Sequence, residues 1–314
     1  MINWILSLEK PVMLFFQSIR FPFLSTIAEC ITFLGEGVWS VLLVFFLYYV
    51  VSQKSGFAVG ASSMTGVAFC NILKVIFRIP RPWVKYPDEL VPLRVSTATG
   101  YSFPSGHSTN AGSLYYSLYS LYGKKRAVKT VSIVLMILIP LSRIYLGCHW
   151  PLDVVVGIAL GIAAGGLSLK YAALYDDEEK LKKLVVRAVP AAVIVAVADA
   201  VLVDTGVLEK TLWKDLSQAA AGWSAMILFG WIGKKHIHFT FPEGMVKRII
   251  LYILGAGVGY SCTLLWLTKF TVLHYTLYNI GLWLLTAFMF VFFPLILRKL
   301  GLEGKENSSS TRQP

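Results

Sequence analysis

The chain has 314 residues, of which 56% are hydrophobic and only 15% are charged, and its formal net charge is +12 at pH 7. Soluble globular domains are usually about half apolar and about a quarter charged, so the composition excludes that class and predicts a polytopic membrane protein. A basic excess in such a protein is typical of loops on the cytoplasmic side, which is favoured over nucleic-acid binding.

Apolar runs predict an all-α chain of membrane-spanning helices. Residues 2–20 mix aromatic and aliphatic side chains with Glu, Lys and Arg, which is typical of a helix at the membrane interface; an extended first span is the alternative. Six runs then predict a first group of spans, and four more predict a second group. The predicted spans are residues 22–34, 37–53, 56–77, 106–122, 127–145, 150–171, 184–204, 215–233, 246–268 and 274–298.

These runs divide the chain into four units. We expect an interfacial N-terminal helix over residues 1–21, a six-span core over 22–172, an additional four-span region over 173–300, and a disordered polar tail over 301–314. Within the sixth span, glycines recur every four residues, which predicts a face that a neighbouring helix can approach closely. Ten spans would place both ends of the chain on one side of the membrane.

Basic residues predict the orientation of the spans. One side carries most of them, and the positive-inside rule makes that side cytoplasmic, with both ends of the chain there and the cell membrane as the location. The other side has an excess of basic residues in the first half of the chain. The rule does not predict this excess, and an anion site would explain it. The cytoplasmic set contains Lys54, Lys124, Lys125, Arg126, Lys129, Lys180, Lys182, Lys183, Arg187, Lys234, Lys235, Lys247, Arg248, Arg298 and Lys299, and the outer set contains Lys74, Arg78, Arg81, Lys85, Arg94 and Arg143.

The first charged stretch on the outer side is KVIFRIPRP. Its cations Lys74, Arg78 and Arg81 stand at i, i+4 and i+7, which predicts one stripe at the end of the third span. Pro80 and Pro82 must end the helix there. The stripe could present several cations to one anion, and snorkelling to lipid headgroups is the alternative.

The second stretch is GYSFPSGHS, at the start of the fourth span. Free backbone N–H groups and the positive end of the helix dipole at Ser105 and Gly106 form an anion site, although Ser105 could be only an N-cap. His107 is a titratable group against that helix start, which is a good position from which to deliver a proton.

The third stretch is SRIYLGCHWPLD. His149 and Asp153 are i and i+4, so on a helix they share a face and the carboxylate can orient the imidazole as a nucleophile or base. Gly147 can turn the chain and bring Arg143 back over the imidazole, and Pro151 fits the first turn of the next helix. Several cations with N–H donors on one side favour phosphate as the anion.

Together these stretches resemble the three-part signature of the type 2 phosphatidic acid phosphatase superfamily, which also includes glucose-6-phosphatase and the vanadium haloperoxidases. Lys74 to Pro82, Pro104 to His107, and Ser142 to Asp153 match it in order, spacing and position on the spans. The resemblance covers roughly residues 22–171, the six-span core. The last four spans match no part of that core.

The resemblance implies a lipid phosphatase that works through a phosphohistidine. His149 would attack phosphorus, Asp153 would orient His149, and His107 would protonate the leaving oxygen. No metal or other cofactor is implied, and the outer side lacks an acidic cluster of the kind that holds magnesium beside a phosphate. Arg78 lies outside the signature and is interpreted as an auxiliary contact or headgroup anchor. The residues implied to hold the phosphoryl oxygens are Lys74, Arg81, Ser105, Gly106 and Arg143.

Three functional hypotheses remain open at this stage. The first is a membrane-embedded phosphatase of phosphatidate, an isoprenyl diphosphate or a related lipid, with membrane lipids and a lipid phosphate as its partners and no nucleic acid. The second is a hydrolase of a water-soluble ester of the glucose-6-phosphatase type. The third is a non-catalytic lipid-phosphate binder or transporter, which would not need a nucleophile. The oligomeric state is left open.

Overall fold

A computed structural model of the chain describes residues 2–96, 98, 100–206, 210–237, 239–270 and 275–304. This described part is helical and contains no β-strand, as predicted. Its helices are α1 (Ile2–Ser18), α2 (Pro22–Phe33), α3 (Gly37–Phe46, continued by a π-turn at Leu47–Val51), α4 (Gln53–Phe77), α5 (Pro82–Lys85), α6 (Gly106–Tyr122), α7 (Arg126–Tyr145), α8 (Pro151–Gly165), α9 (Ser168–Asp176), α10 (Glu178–Asp204), α11 (Lys210–Ile232, continued by a π-turn at Gly233–Ile237), α12 (Met245–Phe270), α13 (Tyr275–Ala287, continued by a π-turn at Phe288–Phe292) and α14 (Phe293–Lys299).

α6 lies at the centre of the core and packs against α4, α7 and α8. The residues from Ser108 to Tyr115 are all buried. Because protein and not lipid surrounds this helix, it can carry the Ser, Thr and Asn side chains that would be costly against hydrocarbon. The most polar of the predicted spans is therefore the central one.

The glycines of α8 allow α6 to approach it closely. A side-chain carbon added at Gly157 would lie 2.7 Å from the backbone oxygen of Ser105, and one added at Gly161 would lie 2.8 Å from Cα of Gly112. The close approach predicted from the glycine spacing is confirmed. It holds the first turn of α6 against the first turn of α8, and these two turns carry site residues.

Four described segments are long and apolar enough to cross a membrane: Gln53–Lys85, Arg126–Tyr145, Pro151–Asp176 and Ile280–Lys299. The ten predicted runs nevertheless correspond to helices, since α2, α3, α4, α6, α7, α8, α10, α11, α12 and α13 with α14 begin or end within a few residues of them. α6 is not among these four segments because it has only 17 residues and is rich in serine. The protein is therefore an integral membrane protein whose core includes polar helices shielded by apolar ones.

The predicted first span, residues 22–34, corresponds to a helix shorter than a usual span. α2 has 12 residues and is about 18 Å long, whereas the hydrocarbon layer is about 30 Å thick. Both of its ends contact the last turn of α7, because Phe21 N–H donates to the Tyr145 hydroxyl over 3.4 Å and Thr32 bonds to Arg143 over 2.9 Å. The helix is too short because Gly35 and the residues beside it turn the chain into α3.

α1 is bent by 118° from α2 and lies over the end of the bundle where α7 stops and α8 starts. Glu9 accepts a 2.6 Å hydrogen bond from the N–H of Leu152, and Lys10 pairs with Glu89 over 2.6 Å. Interfacial placement of this helix stays a prediction. Its position at this end of the bundle follows from these contacts.

The last described residues lie at the opposite end of the bundle. Gln53, at the start of α4, donates to the carbonyl of Phe239, and the hydroxyl of Thr240 donates to the carbonyl of Gly304 over 2.6 Å. The expectation that both ends of the chain share one side of the membrane stays a prediction, although α1 and the last described residues lie at opposite ends of the bundle. The predicted tail lies outside the described residues from 305 onward.

The region after α9 shares one apolar core with the helices before it. Buried Phe57 and Tyr48 belong to the same cluster as Ile227, Phe290 and Phe293. The Tyr48 and Phe290 rings meet edge to face at 4.7 Å. The predicted division into a core and an additional four-span region stays a prediction, and the two sets of helices pack as one body.

Candidate active site

The predicted site residues meet at one end of the bundle, where α4 and α7 end and α6 and α8 begin. Because these four helices alternate in direction, the three charged stretches of the sequence face the same end. The structure brings all eight predicted site residues to this end. They are Lys74 in the last turn of α4, Arg81 before α5, Ser105 at the cap of α6 with Gly106 and His107 after it, Arg143 in the last turn of α7, His149 before α8, and Asp153 in the first turn of α8.

His149 is held by Asp153 and a serine. Its Nδ1 lies 3.4 Å from the Asp153 Oδ2 atom and 3.4 Å from the Ser102 hydroxyl oxygen, and both residues are almost completely buried with it. Ser102 donates a hydrogen bond to the same carboxylate oxygen, which also accepts 2.8 Å from the Trp150 N–H. The carboxylate is therefore oriented before it orients the imidazole.

The other ring nitrogen of His149 faces Arg81. Arg81 Nη1 lies 3.2 Å from Nε2, and because a guanidinium can only donate, Nε2 must be the acceptor. The proton of the neutral ring is then on Nδ1, which faces Asp153. Arg81 is fixed by further bonds to the carbonyls of Gly100 and Cys148. The His149 ring, with its lone pair on Nε2, is thus held by groups on both sides.

Two details differ from the expected geometry. His149 is not on a helix face with Asp153, because it precedes the cap residue Trp150, and the two meet because Asp153 reaches back from the first turn of α8. The cation that contacts the imidazole is Arg81, whereas Arg143 was expected there. Gly147 does turn the chain, with a φ of +74°, which only glycine adopts easily, and Pro151 opens α8 as predicted.

Burial and neighbouring cations keep the His149 imidazole neutral. Burial lowers the pKa of this group well below its ordinary value of 6.5, and the positive charges of Arg81, Arg143 and Lys74 lower it further. A neutral imidazole keeps the lone pair that a nucleophile needs. The same cations would draw a phosphate dianion to the ring.

Arg143 is a fully buried guanidinium with unused donors. Its Nη1 bonds to the Thr32 hydroxyl over 2.9 Å, while Nε and Nη2 are buried without a hydrogen-bond partner among the described residues. A buried charge with unpaired donors is costly unless an anion completes it. Its charge acts on both His107 and His149, so the site is suited to a multiply charged oxyanion.

The start of α6 completes the cationic side of the site. Ser105 is the N-cap, and its hydroxyl accepts bonds from the N–H and hydroxyl of Ser108. Gly106 leaves open space, since an added side-chain carbon would meet only Lys74 Nζ, at 4.0 Å. Lys74 is itself buried. The capping role of Ser105 is therefore established, and its contact with phosphate remains a proposal.

The predicted stripe of three cations is broken at Arg78. This residue ends α4 in the left-handed conformation, with a φ of +46°, and its exposed side chain bonds to the carbonyl of Val75. Only Lys74 and Arg81 turn inward. Pro80 follows in the turn and prevents α4 from continuing, so the three cations do not share one helix face.

Sequence reasoning missed three residues that contact the predicted ones: Ser102, Thr32 and Glu36. Ser102 was visible within GYSFPSGHS but looked like a loop residue. Thr32 and Glu36 stand 42 and 38 residues before Lys74, where the first motif begins, and reach the site only because α2 folds back on α7. Glu36 Oε1 lies 3.9 Å from His107 Nε2 and 2.6 Å from Arg94 Nη2.

Residues 55–175 match the profile of the PAP2 superfamily. This stretch contains all eight predicted site residues. The similarity to the PAP2 superfamily covers this segment of the chain. The resemblance inferred from the three motifs is thereby confirmed, and so is the expected enzyme class at the level of the family, a hydrolase of phosphate monoesters or diphosphates.

Proteins similar to this chain include enzymes named for lipid phosphates. A probable sphingosine-1-phosphate phosphatase of Dictyostelium discoideum is 26% identical over 50% of this chain and 40% of its own length, so the chain spans less than half of that relative. The lipid A 4'-phosphatase of Porphyromonas gingivalis is 29% identical over 52% of this chain and 72% of its own length. The matched segments leave about half of this chain without a counterpart.

Among solved structures, the chain is similar to a transmembrane PAP2-type phosphatidylglycerolphosphate phosphatase from Bacillus subtilis. The match covers 54% of this chain and 86% of that one, with 26% identity and a TM-score of 0.47. Among the described residues, no group of three or more His, Cys, Asp or Glu side chains is placed to hold a metal ion.

Proposed function

We propose that this PAP2 protein hydrolyses a lipid phosphate or diphosphate through a phosphohistidine intermediate, at the outer face of the cell membrane. The observation that carries the proposal is the pairing of an oriented, neutral His149 with the buried guanidinium of Arg143, whose Nε and Nη2 have no hydrogen-bond partner among the described residues. A nucleophile beside unused donors is what transfer of a phosphoryl group requires.

In the proposed reaction, the phosphate first takes the donors of Lys74, Arg81 and Arg143. Arg81 then bonds to a phosphate oxygen and no longer to Nε2, which frees the lone pair of His149 to attack phosphorus. The new N–P bond forms as the bond to the leaving oxygen breaks, and His107 gives that oxygen its proton. The Nδ1 proton remains on His149 toward Asp153, which stabilises the positive ring.

The second half of the reaction releases phosphate. Water attacks the phosphohistidine, and its proton passes to the now neutral His107 as the N–P bond breaks. This step restores neutral His149 and protonated His107, so the protons balance over one turnover. The backbone N–H of Gly106 and the hydroxyl of Ser105 are proposed as further contacts to the phosphoryl oxygens.

A lipid substrate fits the apolar surface beside the site. Ile76 and Phe77, within one turn of Lys74, are 64% and 46% exposed, and Val155, within one turn of Asp153, is 60% exposed. Side chains of this kind on a membrane protein face acyl or prenyl chains. A headgroup could therefore reach His149 while its tail stays in the bilayer.

The distribution of basic residues supports an outer active site. Lys54, Lys234 and Arg298 belong to the predicted cytoplasmic set, and all three bond at the end of the bundle opposite the site, to Asp176, Tyr175 and Ile237 respectively. The positive-inside rule makes that end cytoplasmic. The site end, together with α1, is then extracytoplasmic.

The test is release of inorganic phosphate by the purified protein in detergent, in the presence of a chelator. Substrates are phosphatidate, phosphatidylglycerophosphate, undecaprenyl diphosphate, sphingosine phosphate and glucose 6-phosphate, and His149→Ala is the blank. We expect release from at least one lipid and none above background from His149→Ala. Wild-type activity in His149→Ala would overturn the mechanism, and hydrolysis of glucose 6-phosphate alone would overturn the lipid assignment.

A further inference from the structure

Glu36 is a partly buried carboxylate next to the second histidine of the site. It lies in the turn between α2 and α3, outside the residues that match the PAP2 profile. Its Oε1 is 3.9 Å from His107 Nε2, and the two side chains are only 13% and 11% exposed. The carboxylate is brought there by α2, which carries it to the first turn of α6.

His107 needs such a neighbour because the other charges around it are positive. Lys74 on α4 and Arg143 on α7 both act on its ring, and His149 lies close enough to interact with it. These cations hold phosphate but oppose the protonated imidazole that a general acid must have. Asp153, the other acidic group of the site, is occupied with His149, Ser102 and Trp150.

Glu36 is itself kept in the charged form and in place. Burial alone would raise the pKa of this carboxyl above its ordinary value of 4.5, but His107 and Arg94 lower it overall. Arg94 Nη2 binds Oε1 over 2.6 Å. The backbone oxygen of Glu36 also accepts a hydrogen bond from Asn110 on α6, one turn from His107.

We propose that Glu36 is a positioning residue for the reaction, a carboxylate that stabilises protonated His107 and so supplies the general acid of the site. The inference rests on the proposed function, since it assigns a partner to a group used there. Glu36 acts by charge and needs no contact with substrate. Arg94 holds the Glu36 carboxylate in place, and its positive charge weakens the effect of that carboxylate on the His107 ring.

The experiment compares two substrates with leaving groups of different basicity. Short-chain phosphatidate leaves as an alkoxide and needs the proton, whereas p-nitrophenyl phosphate leaves as a weakly basic phenolate and needs it much less. For Glu36→Gln we expect the basic limb of kcat/KM for phosphatidate to move down by about one pH unit. At a pH above that limb, turnover of phosphatidate should fall about tenfold, with little loss for p-nitrophenyl phosphate.

Two further variants separate this role from a structural one. Arg94→Gln removes the counter-charge, so the basic limb should move in the opposite direction, to higher pH. Glu36→Asp keeps the charge and should restore most of the phosphatidate activity. Glu89→Gln is the matched control, because it breaks an ion pair of the same length at the same end of the bundle, with Lys10, and should leave both activities and the profile unchanged.

The possible outcomes are distinct. An equal loss on both substrates in Glu36→Gln, or a basic limb that does not move, overturns the inference while the phosphatase proposal stands. Failure of the wild-type protein to release phosphate from either substrate removes the proposed function itself. A shift of the limb in Glu36→Gln with an opposite shift in Arg94→Gln supports the inference.

Discussion

The two histidines of the site have different surroundings, although they lie at the same end of the bundle. His149 is bounded on one side by Asp153 and Ser102 and on the other by Arg81. His107 Nε2 has no hydrogen-bond partner among the described residues, and a carboxylate oxygen of Glu36 lies 3.9 Å away. A nucleophile benefits from one fixed tautomer, whereas an acid must gain and lose a proton in every turnover.

This contrast supports a separation of the two proposed roles by environment and not by residue type. Donors and an acceptor fix the ring of His149, and cations keep it neutral. His107 has fewer hydrogen bonds, and the negative charge of Glu36 offsets the cations around it. Arg143 and Lys74 act on both imidazoles, so Arg81 at His149 and the two carboxylates are what distinguish them.

Replacing the histidines one at a time is the strongest test of the contrast. His107→Ala should lower kcat for short-chain phosphatidate by about 10²–10⁴-fold, the usual contribution of a general acid, and much less for p-nitrophenyl phosphate. His149→Ala should remove activity on both substrates, since no other group forms the N–P bond. Steady-state kinetics with the two substrates checks this. Equal leaving-group dependence in the two variants would show that the roles are not divided as proposed.

Replacing Arg143 tests whether its unpaired donors bind the phosphate on which both histidines are proposed to act. Arg143→Met should lower kcat/KM by about 10²–10³-fold, the cost of losing an oxyanion donor. It should also raise Tm, because the free protein no longer buries a charge whose donors are unpaired. Arg126→Met, an exposed position at the other end of α7, is the matched control. A lower Tm together with the lost activity would indicate that Arg143 is mainly structural.

The sequence allowed the site to be predicted better than the path of the chain toward it. The motif residues carry charge and fixed spacing in apolar surroundings, so Lys74, His107 and His149 stand out without any structure. The α2 run is as apolar as a span, and only the structure shows that it is a helix of 12 residues whose start contacts Tyr145 of α7.

Long-range partners were beyond the reach of spacing. Glu36 and Thr32 meet the site through the fold of α2 on α7, and no periodicity in the sequence relates them to His107 or Arg143. Similarly, the choice of Arg81 over Arg143 as the partner of the His149 ring depends on the left-handed turn at Arg78. Helix patterns place residues along one element, whereas these contacts depend on how elements pack.

The pH dependence of the free enzyme gives the smallest effect. Burial and the cations hold the pKa of His149 well below 6.5, so the neutral nucleophile persists as pH falls, and the acid limb of kcat/KM should lie well below pH 6.5. Arg81→Gln removes one of the charges that lower this pKa. The pKa should therefore rise and the acid limb should move to higher pH, in addition to any loss of phosphate binding.

The measurement is kcat/KM for p-nitrophenyl phosphate against pH, because this substrate depends little on His107 and its acid limb reports the free enzyme. Lys85→Gln, which removes a cation that bonds to Asn3 outside the site, should leave the limb in place. An acid limb of Arg81→Gln at the wild-type position would mean that Arg81 does not act on the nucleophile. In that case the difference between the two histidines would rest on their carboxylates alone.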